Sequence, residues 1–165
     1  MFDFQPDPDL DPAERYRQLS DAASALTDGE SDSVANMANI AALIREFVPD
    51  LNWAGFYRVV EGASGKDELV LGPFIGRPAC LRIPFGQGVC GAAARTGETQ
   101  LVEDVHAFPG HIACDAQSRA ELVIPVKRAG HVIAVIDLDS PTTARFTQDD
   151  AAGMERLASV LSDRL

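Results

Sequence analysis

The stretch Ala120-Glu-Leu-Val-Ile-Pro-Val-Lys127, then Arg-Ala-Gly, then His131-Val-Ile-Ala-Val-Ile-Asp-Leu138 decides the fold class. Two runs rich in β-branched residues flank a tight turn at Arg128-Ala-Gly130, the pattern of an antiparallel hairpin. A three-residue turn would pair Lys127 with His131 and set Glu121 opposite Asp137. Asp137 and Asp139 lie two apart on a strand, so their side chains share one face. Like charges opposed across a sheet destabilise it. The plain account is a solvated strand end. Glu121, however, leads into the apolar run Leu122 to Val126, where burial is expected. Carboxylates held together there either bind a cation or raise one another's pKa until one keeps a proton. An ammonium group satisfies the first outcome, and an oxygen that needs protonation satisfies the second.

Working outward, Trp53-Ala-Gly-Phe-Tyr-Arg-Val-Val60 is aromatic and β-branched and reads as a strand. A turn at Gly62 to Gly65 leads to a second strand, Glu68 to Leu71, which Gly72-Pro73 and Pro78 end. Leu81 to Phe85 and Thr99 to Val102 read as short strands. Between them, Gly86-Gln-Gly88 opens a brief helix carrying Cys90, and Gly97 closes it. Glu103 to Arg119 shows no sustained period and contains Pro109-Gly110. A connection of that length is commonly a binding loop or a lid.

The helices announce themselves by their caps. Asp11-Pro12-Ala13-Glu14 supplies an N-cap, a proline at the first helical position and an acid at the third. Tyr16, Leu19, Ala23 and Leu26 follow at helical spacing. Ser31 or Asp32 caps a second helix with an apolar face of Val34, Met37, Ile40 or Ala41, Ile44 and Phe47, and Pro49 stops it. Thr147 with Asp150 forms a box-like cap for a last helix lined by Met154, Leu157, Leu161 and Leu165. The expected fold is α+β: about six antiparallel strands, with the N- and C-terminal helices on one face. The other face is then left for a ligand pocket under loops. Residues 1–10 read as a flexible acidic arm and 11–165 as one domain.

Composition narrows the function. At 165 residues the chain is one domain's length, 46% apolar and 24% charged. A net charge of −11 argues against nucleic acid, which needs a basic patch. No apolar run approaches a membrane span, and MFDFQPDPDLDP is no secretory signal. The expected compartment is the cytosol, where thiols stay reduced. All three cysteines, Cys80, Cys90 and Cys114, fall in one stretch together with His106 and His111. An odd set there is buried packing, a metal site or redox chemistry. The spacing is no metal signature, so a Cys/Asp/Glu metal site is the weaker reading and no metal is expected. By local physics Cys90, at a helix start, is the readiest thiolate. Trp53 and Tyr57, four apart on one strand face, are either core or an aromatic wall. His106 and His111 read as loop residues.

The run LNWAGFY at Leu51 to Tyr57, I-P-F-G-x-G-V-C-G-x-A at Ile83 to Ala93, H-I-A-C-D around Cys114, E-L-V-I-P at Glu121 and V-I-D-L-D-S-P at Val135 closely resemble the free methionine-(R)-sulfoxide reductases. These are single-domain GAF proteins, and the likeness runs from about Ala13 to Leu165. The resemblance implies reduction of the R-sulfoxide of free methionine, with no bound cofactor and with thioredoxin or a similar dithiol as electron donor. It implies Cys114 as nucleophile, Cys80 as resolving thiol and Cys90 assisting in the site, overruling the local preference for Cys90. Carried over by position, Glu121, Asp137 and Asp139 contact the substrate, and Trp53 and Tyr57 form its pocket. Glu121 is the expected proton donor, the aspartates hold the α-ammonium, and the long loop around Cys114 closes over the ligand. The resemblance also implies a homodimer. The rival reading is a non-catalytic GAF sensor of a small ligand or of oxidants.

Overall fold

The structure, a computed structural model, describes residues 6, 9–112 and 115–165. Most of the acidic arm, and Cys114 itself, lie outside the described residues. Two helices, α1 (Pro12–Leu26) and α2 (Ser33–Phe47), precede strands β1 (Trp53–Glu61), β2 (Asp67–Ile75) and β3 (Arg82–Pro84). Helix α3 (Gly88–Thr96) and strand β4 (Gln100–Val102) follow, then a single 3-10 turn at Val105–Ala107. The chain ends with β5 (Ala120–Arg128), β6 (His131–Ser140) and α4 (Gln148–Leu161).

The six strands form one antiparallel sheet in the order β3-β2-β1-β6-β5-β4. Strand alternation gives the sheet two working faces. Ala54, Phe56, Leu122, Ile124, Ile136 and Leu138 point to the side covered by α1, α2 and α4, where the main core lies. Trp53, Tyr57, Val123 and Val135 point to the other side, where α3 supplies Val89, Cys90, Ala93 and Ala94 to a second core. The one-face placement of the terminal helices expected from sequence holds.

The caps hold as well. The Asp11 carboxylate accepts from the Glu14 amide, and Asp32 rather than Ser31 accepts from Ala35. Thr147 and Asp150 form a reciprocal capping box. Asp150 also accepts a 2.6 Å hydrogen bond from the Tyr16 hydroxyl, tying α4 to α1. Burial opposes its charge, yet the bonds from Tyr16 and Thr147 and the nearby Arg145 hold its pKa below the usual value. Gly153 is required at this crossing, since a Cβ there would lie 2.2 Å from the Tyr16 ring.

Three local expectations change. Strand β2 does not stop at Gly72-Pro73 but runs to Ile75. The register slips there, Gly55 facing Phe74 while Tyr57 faces Leu71. An irregularity of this kind is where a strand tolerates a proline. In α2, Val34 is exposed rather than facing the core. Asn36 is buried instead, and its amide donates to the carbonyls of Glu30 and Arg164.

The third change concerns the hairpin. Its turn is Ala129-Gly130, both at positive φ, with Arg128 facing His131. That is the two-residue turn favoured by strand twist. A bulge at Val126–Lys127 then shifts the register, so Glu121 faces Asp139 and Val123 faces Asp137. The expected Glu121–Asp137 pairing is thus corrected by two residues. Because a strand's side chains repeat every two residues, a slip of two leaves all three acids on the same face.

Candidate functional site

That shared face is where the acids meet a thiol. Glu121 at the start of β5 and Asp137 near the end of β6 are each only 6% exposed. Asp139 is partly exposed. Cys90, in the first turn of α3, is 4% exposed and directs its thiol toward Glu121 Oε1 at 3.9 Å. Ligand-competent atoms of Cys90, Glu121 and Asp137 all lie within 4.8 Å of one another. Asp137 Oδ1 is buried without a hydrogen-bond partner. The walls of this cavity also include Tyr57, Ile83, Gln87, Ile112 and Ser118. Its free space is about 30 Å³, close to one water's share of liquid volume.

Burial sets the electrostatics. It pushes the Asp137 carboxyl up to about 7, against the Cys90 thiol's hydrogen bond, which works the other way. Burial, then the neighbouring Asp137 charge, hold Glu121 well above the usual carboxylate range. Asp139 is raised by the same two causes, partly offset by a hydrogen bond from Ser118. The Cys90 thiol is likewise raised, by burial first and then by Asp137 and Glu121. The expectation that Cys90 is the readiest thiolate is therefore corrected. A helix start favours an anion by about 0.3–1 kcal/mol, whereas full burial moves a pKa by up to about 3–5 units. Desolvation wins.

A stability prediction follows from the sign of these shifts. Asp137 binds its proton more tightly folded than unfolded, so the stability it contributes is complete below its unfolded pKa and is lost as pH rises through about 7. Asp137→Asn is expected to raise the thermal midpoint by several degrees at about pH 8 and to leave it nearly unchanged at about pH 4. Paired calorimetric scans check this. An equal change at both pH values would show that the buried charge is not the cost.

The remaining sequence candidates divide. Tyr57 lines the cavity, and its hydroxyl is kept protonated by burial and then by Asp137. Trp53 does not line it: its ring stacks on Tyr57 at 6.0 Å and on Phe74 at 5.2 Å, and its Nε1 donates to the Arg77 carbonyl. The Trp53 ring thus stands behind Tyr57. Cys80 is disulfide-bonded and sits at the edge of the second core.

His111 was read as a loop residue but belongs to the cavity wall. Its Nδ1 lies 3.8 Å from Glu121 Oε2, and burial, then His106, lower its pKa. Asn52 was missed as well. Its amide donates to Asp115 and to Ser118, bracing the segment that follows Cys114. In sequence, only the nearness of His111 to Cys114 marked it. A larger depression of about 600 Å³ lies on the opposite side, between α4 and β4–β5. It is lined by no cysteine and no cluster of buried acids.

Comparison with known proteins places the chain in a family. The GAF domain family matches residues 32–165. Free methionine-R-sulfoxide reductase of Escherichia coli is 45% identical over 152 residues, covering 92% of this chain and 89% of that protein. The Saccharomyces cerevisiae reductase of the same name is 42% identical, covering 93% and 87%. The X-ray structure of free methionine-R-sulfoxide reductase from Neisseria meningitidis in complex with its substrate superposes with a TM-score of 0.90 at 42% identity. It covers 99% of this chain and 95% of that one. Fold, sheet order and sequence agree along nearly the whole length: the chain belongs to the GAF domain family and, within it, to the free methionine-R-sulfoxide reductases.

Proposed function

We propose that the chain reduces free L-methionine (R)-S-oxide to methionine through its own thiols, with no bound cofactor. The observation that carries the reading is the cluster of buried Glu121 and Asp137 with the partly exposed Asp139 beside Cys90, two acids with a pKa raised well above normal and one raised to about 7. A site of this kind holds protons at neutral pH and accepts a cation when one arrives. A free amino acid sulfoxide brings both needs: an α-ammonium, and a sulfoxide oxygen that must be protonated before it can leave sulfur. Peptide-bound methionine lacks the ammonium, so Asp137 and Asp139 select for the free form. Tyr57, backed by Trp53, packs against the side chain of the substrate.

Chemically, the Cys114 thiolate attacks the sulfoxide sulfur while the Glu121 carboxyl gives its proton to the oxygen. In the resulting S–S-bonded adduct the hydroxyl passes to the Cys114 sulfur as the methionine sulfur's bonds to oxygen and to Cys114 break, so methionine leaves and Cys114 carries the oxygen as a sulfenic acid. The Cys80 thiol then attacks that sulfur, forming a disulfide and releasing water. Thioredoxin or a similar dithiol takes the disulfide's place by exchange, returning both thiols and becoming a disulfide itself. Cys90 assists by its hydrogen bond to the acids rather than as a nucleophile. Residues 11–165 act as one GAF domain, in the reducing cytosol, as a homodimer of the kind the family resemblance implies.

The test is consumption of a dithiol reductant with free methionine R-sulfoxide, the S epimer and a peptide sulfoxide in parallel. Turnover of the free R form alone is the expected result. No turnover by folded, fully reduced protein would overturn the reading in favour of a GAF sensor.

A further inference from the structure

The geometry points to a second ligand for this pocket: a divalent transition-metal ion of zinc type, bound by Cys90 Sγ, Glu121 and Asp137 in competition with the amino acid. Two carboxylates alone would say little, because an ammonium group satisfies them equally well. The thiol changes the chemistry. Cys90 is buried, carries a free thiol and points it at Glu121 Oε1 from 3.9 Å, so sulfur and oxygen donors converge on one point. A mixed sulfur–oxygen set suits zinc and its neighbours and not magnesium or calcium.

Distances agree. Zinc–sulfur bonds of about 2.3 Å and zinc–oxygen bonds of about 2.0–2.2 Å place tetrahedral ligand atoms roughly 3.3–3.7 Å apart. The three donor atoms here lie within 4.8 Å of one another, so small side-chain rotations close the set. Two buried polar atoms of the cavity wall lack a hydrogen-bond partner, one of them on Asp137, already counted among the donors. Asp137 Oδ1 is buried and unpaired, and so is His111 Nδ1, 3.8 Å from Glu121 Oε2. His111 lies outside the set of donors that fall within 4.8 Å of one another, so a water takes the fourth position. On binding, the ion displaces the Cys90 thiol proton and any carboxyl proton to solvent, and its charge neutralises the acids that burial leaves uncompensated. Zinc would thereby inhibit turnover competitively with the sulfoxide.

Cobalt(II) tests this without any turnover, so the result stands apart from whether the chain reduces sulfoxides. The disulfide-bonded protein is used, where Cys90 is the free thiol. Titration is expected to give a near-ultraviolet thiolate-to-cobalt charge-transfer band saturating at one equivalent and abolished by equimolar zinc. Cys90→Ser should remove the band. Asp137→Asn, which keeps the thiol and is expected to fold at least as stably, should weaken binding by more than about tenfold. No band in the wild-type protein, a band surviving Cys90→Ser, or unchanged affinity in Asp137→Asn would each overturn the proposal.

Discussion

Cys114→Ser is expected to bring sulfoxide turnover down to the uncatalysed level while the reduced variant still binds free methionine. The serine hydroxyl has the right size but is a far weaker nucleophile at neutral pH, and it cannot become a sulfenic acid or a disulfide. The step that would follow sulfur attack is therefore lost along with the attack itself. Cys80→Ser separates the two. It should release one methionine per chain and then stall, with Cys114 held as a sulfenic acid that dimedone labels. Activity retained in Cys114→Ser would move the nucleophile to Cys90. That would be surprising on physical grounds, since burial, Asp137 and Glu121 all hold the Cys90 thiol in its protonated form.

Glu121→Gln is the second large effect. Loss of a positioned proton donor is expected to lower kcat by roughly 10²–10⁴-fold, with a much smaller change in KM because the amide keeps the size and polarity of the acid. The pH profile makes the test specific. A carboxyl raised well above its normal pKa is protonated at neutral pH, and activity that needs this proton falls as pH rises through that pKa. The wild-type enzyme should show this alkaline decline, and Glu121→Gln should lose it together with its rate. A variant that kept both rate and decline would assign the proton to Asp139, the residue directly across the sheet from Glu121. Because the three acids titrate as a coupled set, the decline belongs to the set and the mutation identifies the donor.

Much of this site is visible in the sequence because strand periodicity is a strong local signal. Glu121, Asp137 and Asp139 fall on one face whether the hairpin turn holds three residues or two with a bulge, since the register error was two. The caps at Asp11, Asp32 and Thr147 were equally legible: a short polar side chain before an apolar helical run has few other uses. Gly72-Pro73 misled because proline usually ends a strand, and only the slip of β1 against β2 shows how it is accommodated.

Cys90 shows where local reading stops. Its position at the start of α3 argues for an ionised thiol, and nothing nearby in sequence argues against it. The opposing terms come from residues 31 and 47 positions away, brought within a few ångströms by the packing of α3 on β5 and β6. His111 was hidden for the same reason, since its importance rests on a contact with Glu121, ten positions further along the chain. Order and type of elements and the shared face of the acids follow from spacing and composition, and the family from the resemblance of its motifs; all of these are written along the chain. Desolvation and through-space charge are written nowhere along it. They exist only once the fold has excluded water, and they decide which thiol stays protonated, which carboxyl keeps its proton, and what that buried point can bind.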